Sequence, residues 1–414
     1  MSDAEPDLSD AVTVDDIRAA RTAMASMVRD TPMEGARWLE AGAGGSVFLK
    51  CENLQRAGSF KIRGAYNRIS RLSDEERSRG VVAASAGNHA QGVALAATTL
   101  GCATTVFMPV GAPLPKIAAT RGYGAEIRFH GHSVDEALVA AQAFSAETGA
   151  VLIHPFNHPH VVAGQGTVGL EILEQVPDVR TVVVCTGGGG LLAGIAVAIK
   201  SLRPEVRIVG VQATGAAAYP PSLRVGHPVS LESMTTMADG LKVGRPGDLP
   251  FALVQRYVDE IRTVDEEALS RALLLCLERA KLVVEPAGAA SLASLLDLPA
   301  GGDPALPTPI VAVLSGGNVD PLLLLRIIRH GLASAGRYLS LRLRIPDRPG
   351  ALAKLLTEVG DAEANVLEVE HVRIDPRLRV DEVGVALQLE TRGQAHCEEV
   401  VQRLLEHGYE LLPL

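Results

Sequence analysis

The stretch GSFKIRGA places Lys61 between Phe60 and Ile62, among small and apolar neighbours. Burial among apolar groups disfavours the charged ammonium and lowers the pKa of a lysine. A neutral lysine amine is a nucleophile that condenses with an aldehyde. The alternative is an amphipathic segment in which Arg56, Lys61 and Arg63 extend their charged ends to solvent. The stretch by itself leaves both interpretations open.

Four consecutive glycines at 187–190 lie between the apolar run 181–185 and an apolar helical run that begins at Leu191. Glycines let the backbone turn tightly and present its N–H groups, as a phosphate site requires. The dinucleotide pattern GxGxxG would need glycine where Leu192 stands, and the GK[ST] of a P-loop is absent. The pattern therefore predicts a site for the phosphate of another cofactor.

Two further loops carry polar groups directly after strand-like runs. SAGNH, residues 85–89, opens an alanine-rich helix, whose first N–H groups form an anion site. Asn88 adds an amide that can bind a phenolic oxygen. In SGGN, the hydroxyl of Ser315 can form a hydrogen bond with a ring nitrogen. Unlike a cationic side chain, it does so without placing a full positive charge beside the ring. The alternatives are an ordinary helix-capping serine and an ordinary turn serine.

The segment HPFNHPH contains three candidate metal ligands, His154, His158 and His160. Two prolines interrupt the segment and no carboxylate cluster flanks it, which favours a pocket-lining loop over a metal site. The five cysteines are scattered without a CxxC pattern, as expected of reduced thiols. No metal site is therefore predicted.

The elements that position these loops follow from hydrophobic patterning. From residue 14 to about 331, short β-branched runs alternate with longer helical patterns, as at 81–84, 104–108, 181–185, 208–212 and 310–314. Such alternation predicts a mostly parallel α/β sheet covered on both faces, with chemistry at the carboxyl ends of the strands.

The pattern changes after about residue 331. Strand-like runs at 339–345, 366–374, 383–389 and 409–412 alternate with helical patterns that begin near 351 and end near 407. The order βαββαβ predicts a ferredoxin-like module.

Composition argues against several classes of function. The net charge is −9 and there is no long basic run, so we expect no nucleic-acid partner. From the acidic, polar start MSDAEPDLSD we expect no signal peptide, and no apolar run is long enough to span a membrane. We therefore expect a cytoplasmic protein with a short flexible arm at 1–13.

Taken together, GSFKIRGA, SAGNHAQG, GGGGL and SGGN resemble the motifs of fold-type II pyridoxal-phosphate enzymes, and more narrowly those of threonine dehydratases (threonine ammonia-lyases). The segment LRIPDRPGALAKLLTEVG onward resembles an ACT domain. The resemblance implies a tryptophan synthase β-like catalytic domain at 14–331 with a smaller subdomain at roughly 55–155, a linker at 332–337 and an ACT domain at 338–414.

The resemblance also implies a role for each site residue. Lys61 would hold pyridoxal 5′-phosphate as a Schiff base and then transfer protons, and Phe60 would pack on the ring. Asn88 would bind the ring oxygen and Ser315 the ring nitrogen. The phosphate would be bound by Gly187, Gly188, Gly189, Gly190 and Leu191, and the substrate by Ser85, Ala86, Gly87, Asn88, His89, Phe156 and Gly240.

The activity implied is α,β-elimination of L-threonine to 2-oxobutyrate and ammonia, with L-serine as a second substrate. Sulfhydrylases of this fold carry a TSGNTG-like loop that His89-Ala90 does not match. Serine racemases use a second serine as base where this chain has Ala86, and some relatives bind a metal through an acid where it has Gln212. A dehydratase of serine or 3-hydroxyaspartate stays an alternative.

An ACT domain implies regulation by an amino acid, with isoleucine or valine expected, and pairing into a homodimer or homotetramer. An unresponsive ACT domain stays an alternative, as does a catalytically silent amino-acid sensor. The intact set from Lys61 to Ser315 argues against the sensor.

Overall fold

The computed structural model describes residues 8–299, 301–373 and 378–413. Contacts within the chain divide it into two compact units, Met1–Asp320 and Pro321–Leu414, and each is described by itself. The strands of the first unit are β1 (Met33–Gly35), β2 (Val47–Lys50), β3 (Val81–Ala84), β4 (Thr104–Met108), β5 (Glu126–Phe129), β6 (Val151–Leu152), β7 (Thr181–Cys185), β8 (Arg207–Ala213), β9 (Glu260–Val264) and β10 (Ile310–Val313). Its helices are α1 (Val14–Met24), α2 (Arg37–Ala43), α3 (Lys61–Ser70), α4 (Asp74–Arg79), α5 (Asn88–Thr99), α6 (Leu114–Gly122), α7 (Val134–Thr148), α8 (Pro159–Gln175), α9 (Gly190–Leu202), α10 (Tyr219–Val225), α11 (Asp248–Tyr257), α12 (Glu266–Leu275) and α13 (Pro286–Ala293).

The strands of this unit form two open sheets. The larger has the order β1-β2-β10-β7-β8-β9, and every neighbouring pair except β1 with β2 is parallel. The smaller has the order β5-β4-β3-β6 and is parallel throughout. Strands β3, β4, β7 and β10 are buried along their whole length, because their apolar and β-branched side chains are covered on both faces. The predicted parallel sheets are confirmed.

A buried ion cluster ties α3 to the larger sheet. Arg63, in the first turn of α3, donates to both oxygens of Glu52 at 2.8 Å and to Glu171 of α8 at 2.5 Å. Lys50, at the end of β2, donates to the other oxygen of Glu171 at 2.5 Å. Each of these four side chains is at most 3% exposed. Burial alone would raise the pKa of Glu52, but the Arg63 guanidinium outweighs it and holds that pKa below its usual range.

The second unit contains α14 (Pro321–Ser334), β11 (Tyr338–Pro346), α15 (Ala351–Asp361), β12 (Asn365–Val372), β13 (Glu382–Glu390), α16 (Gln394–Glu406) and β14 (Glu410–Leu412). The sheet has the order β12-β13-β11-β14 and is antiparallel. Inward side chains of β11 and β13 pack against α15 and α16 through a separate core that includes Leu343, Leu355, Leu387 and Val400. From β11 onward the element order is βαββαβ, as predicted.

Two sequence-based boundaries differ from the structure. Of the arm expected at 1–13, residues 1–7 lie outside the described residues, whereas Leu8–Asp10 forms a 3-10 turn and Val12 is buried in the core. The apolar side chain of Val12 explains the difference, since burying it fixes the chain before α1 begins. The linker expected at 332–337 starts inside α14, which continues to Ser334.

Removing one member of the ion cluster should destabilise the first unit. In Glu171→Gln the buried charge of Lys50 loses its partner, and we expect the free energy of unfolding to fall by about 3 kcal/mol. Urea denaturation followed by the fluorescence of Trp38, the single tryptophan, measures the change.

Glu174→Gln, on the same helix, is the matched control. Glu174 pairs with Arg21 at the surface, where its side chain is 56% exposed, so less than about 1 kcal/mol should be lost. Equal losses in the two variants would contradict a dominant role for the buried cluster.

Candidate active site

The segments chosen from the sequence lie at the carboxyl ends of the parallel strands. Residues 85–89 follow β3, the glycines at 187–190 follow β7, and Ser315 follows β10. The segment before α3 reaches the last of these, since Phe60 N donates to Ser315 O at 3.2 Å and Ser59 forms a β-bridge with Gly316. The topology thus brings residues from four distant parts of the sequence to one cleft.

Lys61 is the first residue of α3 and is half-buried. Its Nζ donates to the carbonyl oxygen of Pro155 at 3.0 Å and lies 5.1 Å from the centre of the Phe60 ring. Burial lowers the pKa of the Lys61 amine to about 8, and the nearby Glu285 carboxylate only partly offsets the effect. A substantial fraction of the amine is therefore neutral near physiological pH.

The glycine loop is closely packed from two sides. A Cβ added at Gly188 would collide with the ring of Phe156, and one added at Gly189 would collide with the hydroxyl of Tyr219. Gly189 is also the N-cap of α9 and has a φ of +97°, which only glycine adopts readily. Gly187 lies against the 239–241 turn, since its added Cβ would be 2.9 Å from the carbonyl oxygen of Gly240. The loop therefore ends at a helix N-terminus, the arrangement that binds phosphate.

The loop at residues 85–89, expected to bind the substrate through an anion site, leads into α5, which begins at Asn88. Gly87 N donates to the Ser85 hydroxyl at 3.1 Å. His89 lies differently from its motif neighbours: its ring is buried and its Nε2 lies 2.7 Å from the carbonyl oxygen of Ile153. Burial, with the nearby Lys61, lowers the pKa of His89 to about 3. Only the backbone of His89 is therefore available to an anion here.

Sequence reasoning did not select Glu285 or Asn318, which both contact Asn88. Asn88 Nδ2 donates to Glu285 Oε1, and Asn88 Oδ1 accepts from Asn318 Nδ2 at 2.8 Å. Burial raises the pKa of Glu285. A signal was present in KLVVEPAGAAS, where a carboxylate lies among apolar and small residues just as Lys61 does.

The three candidate histidines bind different partners, although the rings of His158 and His160 lie 5.0 Å apart. His154 Nδ1 accepts from Asn157 N at 2.8 Å, and its ring lies edge-on to Phe156 at 4.7 Å between centroids. His158 instead caps α8 by accepting from His160 N at 3.1 Å. Over residues 8–299, 301–373 and 378–413, no group of three or more His, Cys, Asp or Glu side chains is arranged to hold a metal ion.

The residues present fit pyridoxal phosphate. A lysine amine of lowered pKa, a backbone loop whose faces leave no room for a side chain, and an amide beside a buried carboxylate lie in one cleft. A model of the family described as "pyridoxal-phosphate dependent enzyme" matches residues 24–316. The chain belongs to this family.

Individual relatives narrow the comparison. The L-threonine ammonia-lyase of Thermotoga maritima is 48% identical over 401 residues, which make up 97% of this chain and 99% of the relative. The threonine deaminase of T.th. is 41% identical with a TM-score of 0.70, covering 74% of this chain and 99% of that one. Maize serine racemase is 40% identical with a TM-score of 0.74, and the match covers 78% of this chain and 99% of the racemase. The resemblance to the threonine ammonia-lyases, the fold class and the cofactor prediction are confirmed.

The assignment of individual residues to cofactor and substrate stays a prediction. One further finding concerns membranes: none of the helices in the described part of this pyridoxal-phosphate enzyme is long and apolar enough to cross one.

Gly189→Ala should weaken cofactor binding by at least about tenfold, because the added methyl group meets Tyr219 and strains a positive φ. Titrating unloaded protein with pyridoxal phosphate, followed by visible absorbance, gives the dissociation constant. Gly122→Ala is the control, since its added Cβ meets nothing within 4 Å. Similar constants for both variants would count against the glycine loop as the phosphate site.

The pH dependence of Lys61 follows from its lowered pKa. Because only the neutral amine attacks an aldehyde, reaction of Lys61 with pyridoxal should rise with pH and level off above about 8. Borohydride trapping followed by mass spectrometry of the Lys61 peptide measures the rate, and a small free amine such as N-acetyl-lysine amide is the reference. A rate at Lys61 that follows the free amine to higher pH would show that burial does not lower this pKa.

Proposed function

We propose that this enzyme is an L-threonine ammonia-lyase that converts L-threonine to 2-oxobutyrate and ammonia. The observation that carries the proposal is the Lys61 amine, held at the end of the cleft with a pKa of about 8 and aligned by a backbone carbonyl. The two relatives described above with the highest identities are a threonine ammonia-lyase and a threonine deaminase. Both are named for the release of ammonia from threonine, a reaction that such an amine can carry out.

The cofactor would be held by Lys61, by backbone N–H groups from Gly187 to Leu191, by Asn88 and by Ser315. When bound, pyridoxal phosphate supplies an electron sink that lets the C–H bond beside the substrate amine break as a proton. Phe60 flanks the lysine amine and excludes water from one side of it. Ser315 is 5% exposed, so its hydroxyl acts in a site shielded from solvent.

The chain's own residues account for the proton transfer and the orientation. The substrate carboxylate binds the N–H groups at residues 85–89, where α5 begins, and its α-carbon then faces Lys61. The Lys61 amine takes the α-proton, and a pKa of about 8 suits both taking up and releasing a proton near neutral pH. Phe156 and Gly240, which contact the glycine loop, close the pocket beside it.

A specific feature separates elimination from racemisation, the reaction for which the maize neighbour is named. Racemisation needs a second base on the face of the substrate opposite Lys61. Ala86, in the carboxylate loop, offers only a methyl group. Protons are therefore exchanged on one face, which favours loss of the β-hydroxyl.

Substrate choice among β-hydroxy amino acids rests on small differences. L-Serine lacks one methyl group of L-threonine, a difference worth about 1–3 kcal/mol in an apolar pocket. We propose L-serine as a second substrate and 3-hydroxyaspartate as the alternative to test.

We further propose a catalytic domain at 14–331, with its smaller subdomain at roughly 55–155, and an ACT domain at 338–414. In support, α15 begins beside Gly350, the N-cap of the helix, where the carboxylate of an amino-acid effector can bind. The effector is isoleucine or valine, and the working form is a cytoplasmic homodimer or homotetramer assembled through the ACT domain.

The first experiment measures 2-oxo acid formation from L-threonine by the cofactor-loaded protein, with and without L-isoleucine. We expect 2-oxobutyrate, and suppression by isoleucine would assign the C-terminal unit to feedback control. Lys61→Ala should lose turnover by at least about 10³-fold, because both the attachment point and the base are removed.

Absence of any oxo acid from L-threonine would contradict the proposal. Turnover of L-serine or 3-hydroxyaspartate alone would then assign the alternative substrate. Amino-acid binding without turnover in the wild-type protein would indicate a sensor.

A further inference from the structure

Glu285 is a buried carboxyl group that the proposed reaction leaves without a role. It is 8% exposed and is the N-cap residue of α13, yet its side chain makes no capping hydrogen bond to that helix. Its Oε1 instead accepts from Asn88 Nδ2, 197 residues earlier in the sequence. An added Cβ at Gly316 would collide with the same oxygen, so the carboxyl is wedged between α5 and the Ser315 loop. This placement serves Asn88 rather than the fold of α13.

The hydrogen bonds around Asn88 determine which neighbour faces its amide oxygen and which faces its amide nitrogen. Asn318 Nδ2 donates to the carbonyl oxygen of Ala57 at 2.7 Å and to Asn88 Oδ1 at 2.8 Å. A carbonyl only accepts, so the Asn318 atom that faces it must be the nitrogen. The Asn88 atom that faces this nitrogen must then be the oxygen, and its own nitrogen must face Glu285.

We infer that Glu285 is a positioning residue that, together with Asn318, fixes the Asn88 side-chain amide as a hydrogen-bond donor to the ring oxygen of the cofactor. An amide nitrogen carries two hydrogens. One is held by Glu285, and the second is left for the ring oxygen that Asn88 is expected to bind. We call the series Ala57 carbonyl, Asn318, Asn88, Glu285 the amide relay. The inference rests on the proposed function of this cleft as the cofactor site.

The relay does not depend on the charge of Glu285. The groups that influence the carboxyl are Asn88, which bonds to it, and Lys116, Asp239 and Lys61, which act through their charges. Protonated or ionised, the carboxyl still offers an oxygen that accepts from Asn88. The position needs a hydrogen-bond acceptor, and this requirement separates the relay from a purely electrostatic role.

Two substitutions of Glu285 test this requirement. Glu285→Met removes the acceptor at similar size, so the Asn88 amide is held only through its oxygen, by Asn318. Glu285→Gln loses the charge but keeps an oxygen that can accept. The readout is the absorption spectrum of the cofactor-loaded protein without amino acid, because a donor beside the ring oxygen favours its ionised form, which absorbs at longer wavelength.

We expect Glu285→Met to lose visible absorbance in favour of the near-ultraviolet and to bind pyridoxal phosphate about tenfold more weakly. Its kcat for L-threonine should fall by about ten- to a hundredfold. Glu285→Gln should keep the wild-type spectrum. Asp259→Asn is the control, since Asp259 bonds to Ile208 N at 2.7 Å at the opposite end of the strands; it should keep the spectrum as well.

A second variant covers the case in which Glu285→Met does not fold. Asn318→Asp replaces the donor with an acceptor, so residues 285 and 318 compete for the Asn88 nitrogen while the Asn88 oxygen loses its donor. The Asn88 amide is then no longer fixed, and the same spectral change should follow. The inference is overturned if Glu285→Met and Asn318→Asp both keep the wild-type spectrum and cofactor affinity. It is equally overturned if Glu285→Gln changes the spectrum as much as Glu285→Met does.

The spectra are recorded without substrate, so they are independent of the reaction catalysed. A wild-type protein that forms no 2-oxobutyrate but shows the expected spectra refutes the proposed reaction and keeps the relay. Turnover of L-threonine by the wild-type protein, together with wild-type spectra in Glu285→Met and Asn318→Asp, supports the proposed reaction and refutes the relay.

Discussion

The buried cluster of Lys50, Glu52, Arg63 and Glu171 is the constraint on which the site depends. Four charges removed from water are tolerated only when each has partners of opposite sign and good geometry. Arg63 meets that demand by binding Glu52 with two nitrogens and Glu171 with a third contact. Because Arg63 is two residues beyond Lys61, the cluster that stabilises the fold also fixes the start of α3.

The same cleft combines a flexible chemical group with rigid surroundings. Lys61 needs a long side chain and a lowered pKa, and burial lowers that pKa. The groups around it are backbone amides, a glycine loop and side chains held by their neighbours. Such preorganised groups need little rearrangement when charge develops, which is the main source of catalytic power in many enzymes.

Two separate structural requirements favour glycine in the glycine loop. Its backbone must turn with a positive φ at Gly189 before α9 begins, and its outer faces are occupied by Phe156 and Tyr219. Either demand alone would exclude most side chains. Together they leave a surface made of backbone N–H groups, which suits a phosphate.

Sequence patterns determined the parts of this protein that are local. The β-branched runs became strands β3, β4, β7, β8 and β10, and the alternating segments after residue 338 became the βαββαβ unit, because period and residue type decide how a short segment buries its apolar face. The motifs around Lys61, the four glycines and Ser315 also identified the family. Each motif is contiguous, so its chemistry can be read without knowing the fold.

The tertiary structure decided what depends on residues far apart in the sequence. It placed Val12 in the core, turned the His89 ring toward Ile153, and brought Glu285 and Asn318 to Asn88 across about two hundred residues. Sequence spacing carries no information on such pairs, because the crossover connections of parallel strands vary in length. The role of Lys61 could therefore be predicted from the sequence alone. The groups that orient its cofactor could be identified only once the strands were paired and their loops met at one edge of the sheet.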